Sequence, residues 1–493
     1  MLLKKYTIPD EVSCVTKTLK NAGFKAFLVG GCVRDLLIGR TPKDWDVATD
    51  ADPKKITELF PSTFYENDYG TVGVVNETED PKLKIVEVTP FRIEGAYSDA
   101  RRPDKVAFSD SLEEDLKRRD FTINAIALDQ REDGSVSIID PYDGQGDTLR
   151  GIVRAVGDPC ERFAEDGLRL LRAVRIASEL GFKIEEKTRQ AILKKAHILQ
   201  KISAERIRDE FIRILMSDRP DDGIEMAQKL GILKHFIPEL EEGIGVEQNK
   251  AHAFDVWTHL MKTLRHSNSK KWPLDIRLAA LFHDIAKPMT RRKNPKTGEW
   301  TFYGHDVVGS RVTRVVLDRL KFPKDTVDKV VKLVRWHMFF SDTELITLSA
   351  VRRMINNVGR ENIWDLMNVR ACDRIGTGRP KESPYRLRKY KAMVEEAMKD
   401  PVSVSMLKIN GGTIMKTANI PPGPKIGHIL HALLEEVLED PGLNSVDYLE
   451  KRAVELSKMP EDELKKIGEK GKEKKDELEE KDIDEIRKKY WVK

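Results

Sequence analysis

Residues Leu28–Arg40 read LVGGCVRDLLIGR, and Asp44, Trp45 and Asp46 follow closely. The apolar run Ala26–Gly30 predicts a short strand that ends in a glycine pair, and Val33–Ile38 predicts a helix entered directly from it. Gly30 and Gly31 let backbone amides come close to an anion. The helix start adds unpaired N–H groups and the positive end of a dipole, with Arg34 one turn in. Asp44 and Asp46, two apart around a strand predicted over Trp45–Ala48, are expected on one face. Paired carboxylates beside a phosphate site suit Mg²⁺, which takes oxygen ligands and leaves positions for substrate phosphates. Such ions can activate a hydroxyl and stabilise a leaving pyrophosphate. Glu87, in the alternating strand Lys82–Arg92 (KLKIVEVTPFR), is a candidate third carboxylate. A tight turn explains a glycine pair alone, and a solvated strand end explains DxD alone. Their combination within one short segment favours a nucleotide site.

Working outward, strand patterns nearly vanish after about Asp158. Helical patterns take over at Glu161–Leu180, Thr188–Leu199, Ser203–Met216, Asp255–His266, Leu274–Ala286 and Lys324–Trp336. The expected fold is α+β, a head with a small mixed β-sheet followed by an all-α neck, body and tail. The chain of 493 residues is too long for one core, and the usual domain size predicts about three or four. Hydrophobic residues are 40% and charged residues 34%, and no run reaches the ~18 apolar residues of a membrane span. The start, MLLKKYTIPDEVSC, lacks the apolar core of an export signal. Cys14, Cys32, Cys160 and Cys372 show no CxxC spacing, which argues against a disulfide framework or zinc ribbon and for a reducing, cytoplasmic setting. Net charge is only +4, so any nucleic-acid binding must come from local patches.

Glu161–Leu180 reads as one helix. On it Glu165, Arg169, Arg172 and Arg175 fall within an arc of about 120°, with Asp166 beside Arg169. Glu165 and Arg169 are spaced to fix each other. A carboxylate acceptor next to guanidinium donors can imitate the Watson–Crick edge of a base. A solvated, salt-bridged face is the plainer alternative for the helix taken alone.

The second half places His259, His283-Asp284, His305, His337 and Asp373 in the segments DVWTHLMKTL, LAALFHDIAKP, FYGHDVVGS, LVRWHMFF and NVRACDRIG. Imidazole with carboxylate suits Mn²⁺, Ni²⁺, Fe or Zn²⁺. His283-Asp284 lies in an apolar helical stretch, where an ionisable pair is costly to bury without a partner.

LVGGCVRDLLIGRTPKDWDVAT closely resembles motif A of the class II tRNA nucleotidyltransferase and bacterial poly(A) polymerase superfamily. RRDFTINA (Arg118–Ala125), DPYDGQGDTLRG (Asp140–Gly151), EDGLR (Glu165–Arg169) and ERIRDE (Glu205–Glu210) resemble its motifs B to E, in order. The resemblance implies metal binding and catalysis by Asp44 and Asp46. It implies nucleotide contacts by Gly31, Arg34, Arg119, Arg172 and Arg175, with Asp120 and Asn124 near the ribose. It also implies selection of CTP and ATP by Asp166 and Arg169, and addition of CCA to the 3′ end of tRNA with release of pyrophosphate. EDxxR favours tRNA enzymes over poly(A) polymerases. The segment Glu94–Pro103 (EGAYSDARRP) looks like the flexible loop that CC-adding members lack. An A-adding enzyme keeps both features and remains the alternative, with a poly(A) polymerase as the further one.

The histidine segments resemble the HD phosphohydrolase superfamily, which implies His259, His283, Asp284 and Asp373 as ligands of one metal. His305 and His337 match the extra ligands of binuclear members. A phosphatase or 2′,3′-cyclic phosphodiesterase activity is the implied chemistry. Leu407–Asn444 resembles the family's carboxy-terminal helical element, with a helix start expected within Pro421–Gly427. Arg291–Lys293 and Arg386–Lys391 are basic clusters that can meet an acceptor stem. The expected division is 1–155 nucleotidyltransferase head, 156–240 neck, 241–385 HD domain, 386–460 tRNA-binding tail and 461–493 charged helix or tail. The expected partners are tRNA, CTP and ATP, with no membrane and no obligatory protein partner.

Overall fold

The computed structural model describes residues 7–66, 70–94, 106–131, 135–248, 253–339 and 346–468. The chain divides into two compact units, Met1–Pro238 and Glu239–Lys493. In the first, seven strands form one sheet: β1 (Ala26–Val29), β2 (Asp46–Thr49), β3 (Thr63–Tyr65), β4 (Val72–Val75), β5 (Ile85–Pro90), β6 (Ala127–Gln130) and β7 (Val136–Ile139). Their order is β3-β4-β5-β2-β1-β6-β7. All neighbours are antiparallel except β2 and β5, whose parallel register sets Asp46 beside Glu87.

Side chains alternate across the sheet, as strand geometry requires. Leu28 and Val47 enter a core with Val12, Val15 and Leu19 of helix α1 (Asp10–Asn21), whereas Val29 and Ala48 join Phe91 and Leu116 on the other face. Asp46 shares the face of Ala48. Asp44 lies in the bend before β2, so only one of the two aspartates is on the strand itself.

Helix α2 (Gly31–Leu37) follows β1 directly, and helix α3 (Leu112–Lys117) is capped by Ser111. The expected single helix over Glu161–Leu180 is instead two, α4 (Pro159–Glu165) and α5 (Leu168–Leu180). Asp158 caps α4, with Pro159 in its first turn. Asp166 then turns extended, with φ −139° and ψ 109°, and its Oδ1 accepts from the Leu168 N–H at 3.0 Å. Gly167 passes so close to Ile198 that a Cβ there would lie 2.8 Å from Ile198 Cγ2. Helix α6 (Ala204–Leu215) packs on α5. A two-residue parallel ladder, Ile152–Val153 with Lys183–Ile184, adds a strand pair the helical reading of the neck omitted.

The second unit is helical: α7 (Val256–Ser269), α8 (Leu274–Phe282), α9 (His305–Arg319), α10 (Lys324–Trp336) and α11 (Ile363–Gly376) are followed by α12 (Tyr385–Ala397), α13 (Gly411–Ala418), α14 (Pro424–Glu439), α15 (Val446–Ser457) and α16 (Glu461–Gly468). α14 begins at Pro424 after Gly423. Leu464 of α16 is fully buried, so the charged segment starts as a packed helix; residues 469–493 lie outside the described residues. Among the described residues no helix is long and apolar enough to cross a membrane.

Candidate functional site

The turn from β1 into α2 is built around Gly30, which has φ +78°. A Cβ on Gly30 would stand 2.9 Å from Arg119 Nη1 and 3.5 Å from Asp46 Oδ2, so glycine is required by both conformation and space. Gly31 opens α2, and a Cβ there would sit 3.6 Å from Arg34 Nη2. Arg34 is held by Asp35 and donates to Asn124 Oδ1 at 2.7 Å. The structure thus gathers Gly31, Arg34, Arg119, Asn124 and Asp46 around one turn.

Asp46 is partly buried, and burial with the neighbouring Asp44 pushes its carboxyl up to about 6 against the pull of Arg119. Burial, Asp46 and Glu66 push Glu87 up to about 7. Asp44 itself is exposed. Burial and mutual repulsion outweigh the nearby arginines at these carboxylates, and a divalent cation would relieve that penalty. An open carboxylate pair fits an ion that shares its coordination with substrate phosphates.

Asp120 is buried; although burial opposes its ionisation, the Arg172 guanidinium holds its carboxyl well below the usual carboxylate range. Arg172 Nε donates to Asp120 Oδ2 at 2.8 Å, and Asp120 Oδ1 accepts from Asn124 at 3.2 Å. Helix α5 therefore reaches back to motif B. Arg169 is fixed by Glu165 and donates through Nη2 to the Arg118 carbonyl at 3.0 Å. Asp166 is held by Arg206, with Nη2 2.7 Å from Oδ2 and Nη1 3.2 Å from Oδ1. Oδ1 also accepts from the Leu168 N–H, so the remaining acceptor capacity lies on Oδ2. Arg175 departs from expectation: it is buried with Nε 2.6 Å from Glu210 Oε2, and its Nη1 lies 3.4 Å from Glu179.

Sequence reading missed Asp115, Arg206 and Glu210 as site residues. Asp115 stands three and four positions before Arg118 and Arg119, a helical spacing that was visible. Arg206 and Glu210 lie within the ERIRDE segment, but their partners are distant in the chain. The Glu94–Pro103 loop falls almost entirely outside the described residues; its flanks, Arg92–Glu94 and Val106–Phe108, pair as an antiparallel ladder.

In the second unit all six expected ligands converge. His259 and His283 (Nε2 atoms 2.9 Å apart), Asp284 and Asp373 form one buried group; Asp284, His305 and His337 form another. Asp284 divides between them. Its Oδ2 is 3.1 Å from His259 and 3.3 Å from His283, and its Oδ1 is 3.2 Å from His305 and 3.5 Å from His337. The Nδ1 atoms of His283, His305 and His337 lie 2.9, 2.6 and 2.6 Å from backbone carbonyls of Ala280, Phe302 and Val334. Donation to those carbonyls leaves each Nε2 lone pair facing inward, the arrangement of metal-bound imidazoles. Burial pushes His337 down to about 4, keeping it neutral. Two inward-facing imidazole pairs sharing one carboxylate fit transition-metal ions. A cleft of about 920 Å³ reaches Asp284, His305 and Asp373 and carries Lys287, Arg370 and Trp300 on its walls.

Three family models match. The Poly A polymerase head domain covers residues 26–154, the probable RNA and SrmB-binding site of polymerase A covers 181–244, and the HD domain covers 250–377. The chain is 35% identical to a CC-adding tRNA nucleotidyltransferase of Thermus thermophilus over 84% of its own length and 90% of the relative. It is 34% identical to a CCA-adding enzyme of Lactobacillus helveticus, over 92% of its length and the relative's whole length. Among solved structures it is similar to the Bacillus stearothermophilus CCA-adding enzyme in complex with CTP, at 29% identity and TM-score 0.67, covering 91% of this chain and 98% of that one.

Proposed function

The chain belongs to the CCA-adding enzymes of the tRNA nucleotidyltransferase and poly(A) polymerase family, and from that membership we propose that it builds the CCA end of tRNA from CTP and ATP. The observation that carries the reading is the joining of Gly30-Gly31, Asp46, Arg119 and Asn124 at one turn, with Arg172 reaching the same place from the neck. Metal dependence follows the family, and Mg²⁺ on Asp44 and Asp46, with Glu87 beside them, is the proposed ion. When bound, such ions activate the 3′-hydroxyl and neutralise charge on the leaving group.

The chain's own residues do the rest. Arg34 and Arg119 bind the triphosphate, the glycine turn admits it, and Asp120 with Asn124 and Arg172 positions the ribose. Asp166 and Arg169 present an acceptor and donors to the base, braced by Arg206 and Glu165. Arg175 acts through Glu210. The 3′-oxygen of tRNA attacks the α-phosphorus, the bond to the β-phosphate breaks, and pyrophosphate leaves. We propose the segments 1–155, 156–240, 241–385, 386–460 and 461–493 as head, neck, HD body, tRNA-binding tail and charged end, acting in the cytoplasm where tRNA matures.

The test uses one tRNA transcript lacking CCA and another ending in CC, each given Mg²⁺ with CTP, ATP or both. Three additions to the first, in C-C-A order, are expected. Two C additions alone would place the protein with its Thermus relative. A single A, and only on the CC-ended form, would make it an A-adding enzyme. For the HD site we propose a phosphatase or cyclic phosphodiesterase using Mn²⁺, Ni²⁺, Fe or Zn²⁺ on His259, His283, Asp284 and Asp373, with His305 and His337. If none of these metals supports hydrolysis of either a phosphomonoester or a 2′,3′-cyclic nucleotide, that proposal falls.

A further inference from the structure

Arg119 is assigned above to the triphosphate, and the inference here rests on that reading. Its guanidinium has three nitrogens, of which two belong to one partner: Nε and Nη2 lie 3.3 and 3.1 Å from Asp115 Oδ2. The remaining Nη1 passes over Gly30, 2.9 Å from where a Cβ would stand and on the side where Asp46 Oδ2 approaches. Asp115 is fully buried, and its other oxygen, Oδ1, takes Arg118 Nε and Nη2 at 3.0 and 2.6 Å. Arg118 caps α3 and Arg119 follows it, so Asp115 ties both arginines back to the last turn of the helix. From the opposite side the Arg118 carbonyl accepts Arg169 Nη2 at 3.0 Å and Arg162 Nη1 at 3.4 Å.

We propose that Asp115 is a positioning residue for the nucleotide triphosphate, aiming Arg119 Nη1 across Gly30 before the substrate arrives. A long arginine loses rotamer freedom when it grips a phosphate, and a carboxylate that holds two of its nitrogens removes that loss in advance. Opposite charge next to Arg119 does not cancel its use, because Asp115 takes Nε and Nη2, and Nη1, 3.5 Å from the Asn124 carbonyl, keeps a second N–H for the ligand. Asp115 holds two guanidinium groups, by separate oxygens, in the segment that also meets the base-reading helix.

The test compares equilibrium binding of CTP and of CMP to the full-length protein, with KM and kcat for C addition. Asp115→Asn keeps the shape and removes the charge. It is expected to weaken CTP on the order of tenfold while changing CMP less than about twofold, and to raise KM more than it lowers kcat. Arg119→Ala should show the same preference for losing CTP, and the double variant should be no worse than Arg119→Ala alone. Asp115→Glu, which keeps the charge and displaces it by one methylene, should weaken CTP in the same selective way if Asp115→Asn does not fold. Equal loss of CTP and CMP, or unchanged CTP binding, in the folded variants overturns the role of Asp115. If Arg119→Ala weakens CTP but neither Asp115 variant does, the inference alone falls. If Arg119→Ala leaves CTP unaffected, the reading of Arg119 falls with it.

Discussion

At the residue scale the most telling feature is the crowding of Asp46 and Glu87, across one register of parallel strands. Their folded pKa values, about 6 and about 7, lie above the ordinary carboxylate values near 4. The folded state therefore binds more protons than the unfolded chain between roughly pH 4 and 7, and these groups make stability fall as pH rises through that window. A cation at the site reverses the penalty. Mg²⁺ is expected to raise the melting temperature of the first unit more at about pH 8 than at about pH 5.5, and Asp46→Asn should shrink that difference. Differential scanning calorimetry reads both. An equal Mg²⁺ increment at the two pH values would mean that these carboxylates do not hold the ion.

At the element scale, helix contacts decide how tightly the second site is built. α7 carries His259 and α11 carries Asp373, and they meet at Gly376. A Cβ there would lie 2.1 Å from Thr263 Oγ1 and 2.9 Å from His259 Nδ1. Gly376→Ala should force the helices apart, at about 1–3 kcal/mol by the usual overpacking range, and lower the metal content of the purified protein. Calorimetry and elemental analysis check the two effects; a variant with unchanged stability and full metal would show that the contact yields cheaply. The break between α4 and α5 was hidden from sequence periodicity. Two residues leave the helix, yet the arginines of α5 keep their own spacing. Asp158-Pro159 marked a helix start legibly, whereas the extended turn at Asp166 depends on Arg206 and on the room Gly167 makes beside Ile198.

At the scale of the molecule, each unit gathers a cluster of candidate ligating side chains of its own. The proposed carboxylate and nucleotide residues lie within 28–215, and the six proposed HD ligands lie within 259–373. Asp44→Ala should abolish C and A addition and leave metal-dependent hydrolysis of a 2′,3′-cyclic nucleotide intact, whereas His283→Ala should do the reverse. Parallel assays of the two variants check this. Loss of both activities in either one would show that the sites depend on each other.

The sequence by itself determined the α+β head, the glycine turn and the family to which the chain belongs, and it singled out the six histidine and aspartate side chains that the fold brings together. Those are written in residue types at short spacing, where the chain's own geometry sets who is near whom. Only the tertiary structure decided that Asp46 faces Glu87, that Asp166 is gripped by Arg206, and that Arg175 turns to Glu210. It alone also split Asp284 between two histidine pairs. Each of these joins residues far apart in the chain, through strand register or helix packing. Periodicity along the sequence gives the face a residue occupies but not the partner that the opposite element presents to it.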